Sequence, residues 1–165
     1  MAKPNKKKRK FRLDKLPKRK TVNQIPGAVT YRGSKEKLIT KAEIIDYSKS
    51  HLEHLHTENV SDAFNFKDTD RVTWINVDGL SNSREIEILG EHFELHPLIQ
   101  EDIVTTYQRP KLDEYSDYLF LVFKMLHYND NAEMIYEHVS MVVGKDYVLT
   151  LSLIHISEPT RPSQI

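Results

Sequence analysis

The stretch G-E-H-F-E-L-H-P-L-I-Q-E-D-I, Gly90 to Ile103, holds the end of one helix and the start of another. Ile86, Leu89 and Phe93 recur at helical spacing and mark one apolar stripe. Asn82, followed three residues later by Glu85, suits the start of that helix. His96-Pro97 opens the second helix, with proline at its first position, where its missing N–H costs nothing. That helix should run to Thr105, and Arg109, preceding Pro110, is pushed to an extended conformation.

Strand signals lie on both sides of the helix pair. Upstream, Val72 to Val77 is a short β-branched run that reads as a buried strand, closed by the turn Asp78-Gly79. Leu38 to Tyr47 alternates in part and reads as a strand, and Ala28 to Tyr31 as another after the turn Pro26-Gly27. Ser48 to Phe64 fits no single period. Downstream, Lys111 to Tyr115, Tyr118 to His127, Met134 to Gly144 and Tyr147 to Leu151 are rich in aromatic and β-branched residues. Asn129-Asp130-Asn131 and Gly144-Lys145-Asp146 supply hairpin turns between them. Strands, then two helices, then an antiparallel meander give an α/β (α+β) domain, with a mixed β-sheet between helical layers.

The 165 residues suffice for one domain with its own core. Residues 1–24 read as a disordered basic tail, 25–151 as the domain, and 152–165 as a tail resembling a translated cloning adaptor. The formal net charge of zero hides an asymmetry: residues 1–20 hold eleven basic side chains against Asp14, leaving 13 basic and 23 acidic residues for the rest. An acidic body favours cations over nucleic acid as partners. The arm could meet anionic lipid or RNA, but Phe11 is its one aromatic, which weakens the RNA case, and a merely solvated arm fits as well. Absence of cysteine removes disulfides, thiol nucleophiles and cysteine zinc sites, and fits a reducing compartment. No window reaches the roughly 20 apolar residues of a membrane span, and no apolar core follows the N-terminal charges as in a signal peptide.

Two histidine groupings invite a metal reading. His51, His54 and His56 alternate with Leu52 and Leu55, which suits a half-buried segment better than a zinc site, since zinc wants three or four fixed ligands. His92 and His96 stand four apart, and such a pair is more often one packed and one exposed histidine, with His96 serving the helix start. No Gly-rich phosphate loop, G-x-S-x-G elbow or H-E-x-x-H motif is present, so an enzyme is not expected.

Asp102 is the residue out of keeping with its neighbours. With Leu98 at zero on a wheel of about 100 degrees per residue, Ile99 falls near about 100, Ile103 near about 140 and Asp102 near about 40. Glu101, near about 300, sits on the arc's edge. A carboxylate inside an apolar arc is costly unless a basic side chain, backbone amides or a metal ion compensates it. An internal partner such as Arg109 or Lys111 is the ordinary solution.

Six segments in order resemble the cytoplasmic domain of the CorA family of divalent-cation transporters. They are P-G-A-V-T-Y-R-G (Pro26 to Gly33), T-W-I-N-V-D-G (Thr73 to Gly79), the opening stretch Gly90 to Ile103, Q-R-P-K-L-D-E-Y (Gln108 to Tyr115), Y-L-F-L-V-F-K-M-L-H-Y (Tyr118 to Tyr128) and E-H-V-S-M-V-V-G (Glu137 to Gly144). The resemblance implies a mixed sheet between helical layers and a homopentamer. It implies that each full-length chain continues into a stalk helix and two transmembrane helices of the cell (inner) membrane, with this domain facing the cytoplasm. It implies magnesium transport, with cobalt or nickel as further cargo, and a regulatory Mg2+ site between subunits, to which Co2+ would also bind. Asp102, and beside it Glu101, match the acids of the family's E-D-I motif at that site. After Leu151 the chain departs from the pattern, so the piece should be soluble, lack the pore and carry half of the ion site. A zinc transporter of the same superfamily and a stand-alone soluble interaction domain are the alternatives.

Overall fold

The computed structural model describes residues 39–79, 83–105, 107–128 and 134–152. The expected basic tail, the turn at Pro26-Gly27, the strand Ala28 to Tyr31, the Asn82 cap, the turn at Asn129 to Asn131 and residues 153–165 lie outside these ranges.

The described chain forms β1 (Lys41–Tyr47), β2 (Leu52–Thr57), a 3-10 segment (Val60–Phe66), β3 (Val72–Asp78), α1 (Ser83–His92), α2 (Pro97–Val104), β4 (Lys111–Glu114), β5 (Leu119–Tyr128), β6 (Met134–Val143) and β7 (Tyr147–Ser152). The sequence left Ser48 to Phe64 without a period because an edge strand and a 3-10 turn divide it. Seven strands make one sheet in the order β2-β1-β3-β7-β6-β5-β4. Every neighbouring pair is antiparallel except β3 with β7, so the sheet is mixed and the fold α+β. Ser152, assigned on sequence to the tail, is the last residue of β7: it pairs with Asp78 and Val139, and its carbonyl accepts from Gly79 N–H. The period-2 signal had nothing apolar at Ser152 to register.

Side-chain alternation sends one residue from each central strand into a single row. Ile44, Ile75, Leu149, Val142 and Phe120 are successive register partners across five strands, and each is 0% exposed. Burial of each stabilises the fold by roughly 1.5–3 kcal/mol. Ile86, Leu89, Phe93, Ile99 and Ile103 of the helical segment join this core, so α1 and α2 lie on this face. On the opposite face Tyr47, Val72, Trp74 and Met141 are exposed or half-buried. Among the described residues no helix covers them. Trp74 Nε1 donates to Thr150 Oγ1 (3.0 Å), which donates to Asn76 Oδ1 (2.7 Å), linking these three side chains across that face.

Most of the Gly90–Ile103 stretch is structural. A Cβ at Gly90 would stand 2.5 Å from Gln100 Cδ, so glycine is what lets buried Gln100 reach the Leu95 carbonyl (2.9 Å). Glu94 turns the chain with φ 55. Lys67 Nζ donates to the His92 carbonyl (2.8 Å) and to Glu94 (2.7 Å), placing a cation at the C-terminus of α1. His96 caps α2, its Nδ1 accepting from Leu98 N–H (3.2 Å), and Pro97 follows at the first position. At the end of β3, Gly79 adopts φ 86, where a Cβ would meet the Ile39 carbonyl oxygen at 2.8 Å.

Candidate functional site

Asp102 sits on α2 facing β4, the terminal strand of the sheet. Its Oδ2 accepts from Lys111 Nζ at 2.7 Å, and its Oδ1 accepts from Gln108 Nε2. Lys111 also donates to Asp113 Oδ2 at 2.6 Å. Burial pulls the Lys111 ammonium down, but its hydrogen bonds to Asp102 and Asp113 outweigh this and hold its pKa above the ordinary value. Of the two basic partners considered on sequence, Lys111 compensates Asp102, while Arg109 is exposed. The β4 pleat explains the choice: Lys111 and Asp113 alternate with exposed Leu112 and Glu114, so both point toward the helices.

The apolar arc of α2 is displaced from its expected position. Leu98 is 48% exposed, whereas Ile99, Gln100, Ile103 and Val104 are buried. On the same wheel the buried arc therefore runs from about 100 to about 240 degrees, and Asp102, at about 40, lies outside it. A glutamine occupies the middle of the buried arc because Gly90 makes room for it, and composition alone could not reveal that. The Asp102 side chain keeps 20% of its surface exposed, enough to be reached by a ligand. Glu101 is half-buried at the opposite margin, and its backbone carbonyl accepts from Thr105 Oγ1 at 2.8 Å. Glu101 and Asp102 thus flank one buried arc and do not share a ligand cluster with a third acid among the described residues.

His92 and His96 do not share a helix face, since α1 ends at the former and α2 begins after the latter. The His92 ring stacks on Phe64, with centroids 3.9 Å apart and planes 10° apart. Burial, reinforced by Lys67, lowers its pKa. Missed on sequence were Gln108 and Asp113, which complete the Asp102 cluster. The Q-R-P-K-L-D motif contained both, but their convergence depends on the tertiary pairing of β4 with α2.

Residues 69–157 match the family model described as CorA-like Mg2+ transporter protein. The chain belongs to the CorA family. It is 35% identical over 125 residues to the cobalt/magnesium transport protein CorA of Thermotoga maritima, a match covering 75% of this chain and 35% of the relative. It is 34% identical over 80 residues to the putative metal ion transporter YfjQ of Bacillus subtilis, covering 48% of this chain and 24% of that one. It therefore spans about a third or less of the curated relatives it matches. Its fold is similar to the soluble domain of CorA from Methanocaldococcus jannaschii, with a TM-score of 0.50 at 14% identity over 68% of this chain and 41% of that one. It is also similar to the full-length CmaX protein, with a TM-score of 0.54 at 13% identity over 76% of this chain and 38% of that one. The CorA-family match includes α2, β4 and all of the Asp102 cluster. No helix among the described residues is long and apolar enough to cross a membrane.

Proposed function

We propose that this chain is the Mg2+-sensing domain of a CorA-type transporter, facing the cytoplasm within a homopentamer, and that Asp102, with Glu101 beside it, supplies one side of a regulatory ion site between subunits. The observation that carries this is the state of Asp102. It is a carboxylate on α2 with 20% of its side chain exposed, oriented by Gln108 and balanced by Lys111. Magnesium takes oxygen ligands, keeps several waters and needs one or two carboxylates from each side. A second acid brought by a neighbouring subunit would repel Asp102 without an ion and be bridged to it with one. Ion binding would then favour the state in which subunits are close, and ion loss would release them. Co2+ would serve the same oxygen donors, and passage of cobalt or nickel would be decided in the membrane-spanning part of the longer protein.

Lys111 gives this site an internal stand-in for the ion. Its ammonium holds Asp102 in place while the site is open, and Mg2+ must compete with it. Two measurements test the assignment. This chain alone should bind Mg2+ weakly by calorimetry, and tight micromolar binding would contradict a half-site. In the longer transporter, Asp102→Ala should weaken closure by Mg2+ in a flux assay while the domain remains folded. Ion-dependent inhibition unchanged in that variant would remove Asp102 from the mechanism.

A further inference from the structure

We propose that Glu43, His54 and His56 form a second, independent metal site, for a borderline divalent ion of the zinc or cobalt type, on the β1–β2 edge of the sheet. The histidine run alone lacked a fixed third ligand. Strand pairing provides it. His54 and His56 are two apart on β2 and so project from the same face, and Glu43 of β1 is the register partner of His56.

Three donor atoms converge there. His54 Nε2 lies 2.7 Å from Glu43 Oε1 and His56 Nε2 lies 3.8 Å from the same oxygen. The two imidazole rings are 4.5 Å apart between centroids, and one ligand atom from each residue falls within 4.8 Å of the others. Zinc–nitrogen and zinc–oxygen bonds near 2.1 Å put tetrahedral donors about 3.4 Å apart, within the range observed here. Small rotations of exposed rings would close the set around an ion, with water in the fourth position. The donor set also selects the ion: two imidazoles and one carboxylate suit zinc, cobalt or nickel, whereas magnesium prefers oxygen throughout.

A neighbouring trio shows what a disqualified cluster looks like. Asp46, His51 and Glu53 also converge, but Asp46 is fully buried, pairs with the Arg71 guanidinium and accepts from Thr73 Oγ1 at 2.8 Å. With its side chain 0% exposed, that carboxylate leaves no open side for an ion to enter, whereas Asp102 keeps 20% of its side chain exposed. Among the described residues no lysine or arginine pairs with Glu43, whose partners are the two histidines. The site is remote from Asp102, since β2 and β4 are the two opposite edges of the sheet. It therefore stands or falls separately from the Mg2+ reading.

The test is titration of the intact chain with Zn2+, and with Co2+ followed by its visible absorption, against Mg2+ as a control. One Zn2+ per chain is expected, with Nε2 resonances of His54 and His56 shifting in nitrogen-detected NMR. His54→Gln and His56→Gln should each weaken Zn2+ by at least about tenfold, and the double variant should lose it. His51→Gln should bind as the parent does. All three positions are exposed, and circular dichroism checks that each variant keeps its fold. Absence of Zn2+ uptake by the parent chain, retention of affinity in the double variant, or an equal loss in His51→Gln would each overturn the proposal.

Discussion

Replacing Lys111 with methionine separates the ion-pair role of Asp102 from its proposed ligand role. The ammonium lies 2.7 Å from Asp102 Oδ2, with 32% and 20% of the two side chains exposed. Fully exposed pairs contribute about 0.2–1 kcal/mol and charged hydrogen bonds in more protected settings about 1.5–3 kcal/mol. This half-shielded pair should therefore couple by about 1–2 kcal/mol. A urea double-mutant cycle of Lys111→Met with Asp102→Asn reads that coupling directly, and high salt should shrink it. If Asp102 is the proposed Mg2+ ligand, then in a longer transporter carrying Lys111→Met the ion would no longer compete with the ammonium for it. The Mg2+ concentration for half-closure should then fall by a factor of roughly 5–30, the equivalent of that energy. Flux measured against Mg2+ concentration is the assay. A normal coupling energy with an unchanged or raised Mg2+ requirement would refute the competition, leaving Asp102 as a structural ion-pair partner.

Three further outcomes follow from the packing. His138 is buried at 3% exposure, and burial together with Lys124 lowers its pKa to about 4. The unfolded chain then binds its proton first as pH falls below the ordinary 6.5, so stability due to His138 is full above that value and is lost progressively down to about 4. Urea unfolding should show a loss of roughly 2 kcal/mol between pH 7 and pH 5, to which His92 adds in the same direction, and His138→Gln should flatten much of it. Gly90→Ala gains about 1 kcal/mol of helix propensity but drives a Cβ into buried Gln100 and breaks its bond to Leu95, so a net loss of about 1–3 kcal/mol is expected in the same assay; a more stable variant would show that Gln100 has room to move. Gly79→Ala meets both a positive φ and the Ile39 carbonyl, and should lower the thermal midpoint by several degrees, for roughly 1–3 kcal/mol, whereas an unchanged midpoint would mean that the turn can rearrange.

Much of this protein was legible in the chain itself. Strands β5, β6 and β7 were readable because aromatic and β-branched runs were long and punctuated by turn residues. The helix pair was readable because His96-Pro97 announces a start and Ile86, Leu89 and Phe93 keep one period. These signals are local: a residue's neighbours in sequence are its neighbours in the element. The candidate site was legible in part. Asp102 stood out on the helical wheel, its ion-site role and that of Glu101 came from the family resemblance, and Lys111 was named with Arg109 as an ordinary partner. Gln108 and Asp113 were not found, since nothing in a β4 signal tells which helix it will face. The expected place of Asp102 inside an apolar arc also failed, because Leu98 was counted as core and Gln100 was not. Only the approach of α1 over α2, at Gly90, buries that glutamine.

The histidines mark the same boundary from the other side. Sequence determined that His54 and His56 would share a face if their segment were a strand, because the pleat alternates every two residues. It could not supply Glu43, eleven positions before His54. Which carboxylate meets two imidazoles, and which ammonium meets Asp102, is decided by strand register and by how a helix lies across a sheet. Those are properties of long-range packing, settled by burial of the core as a whole.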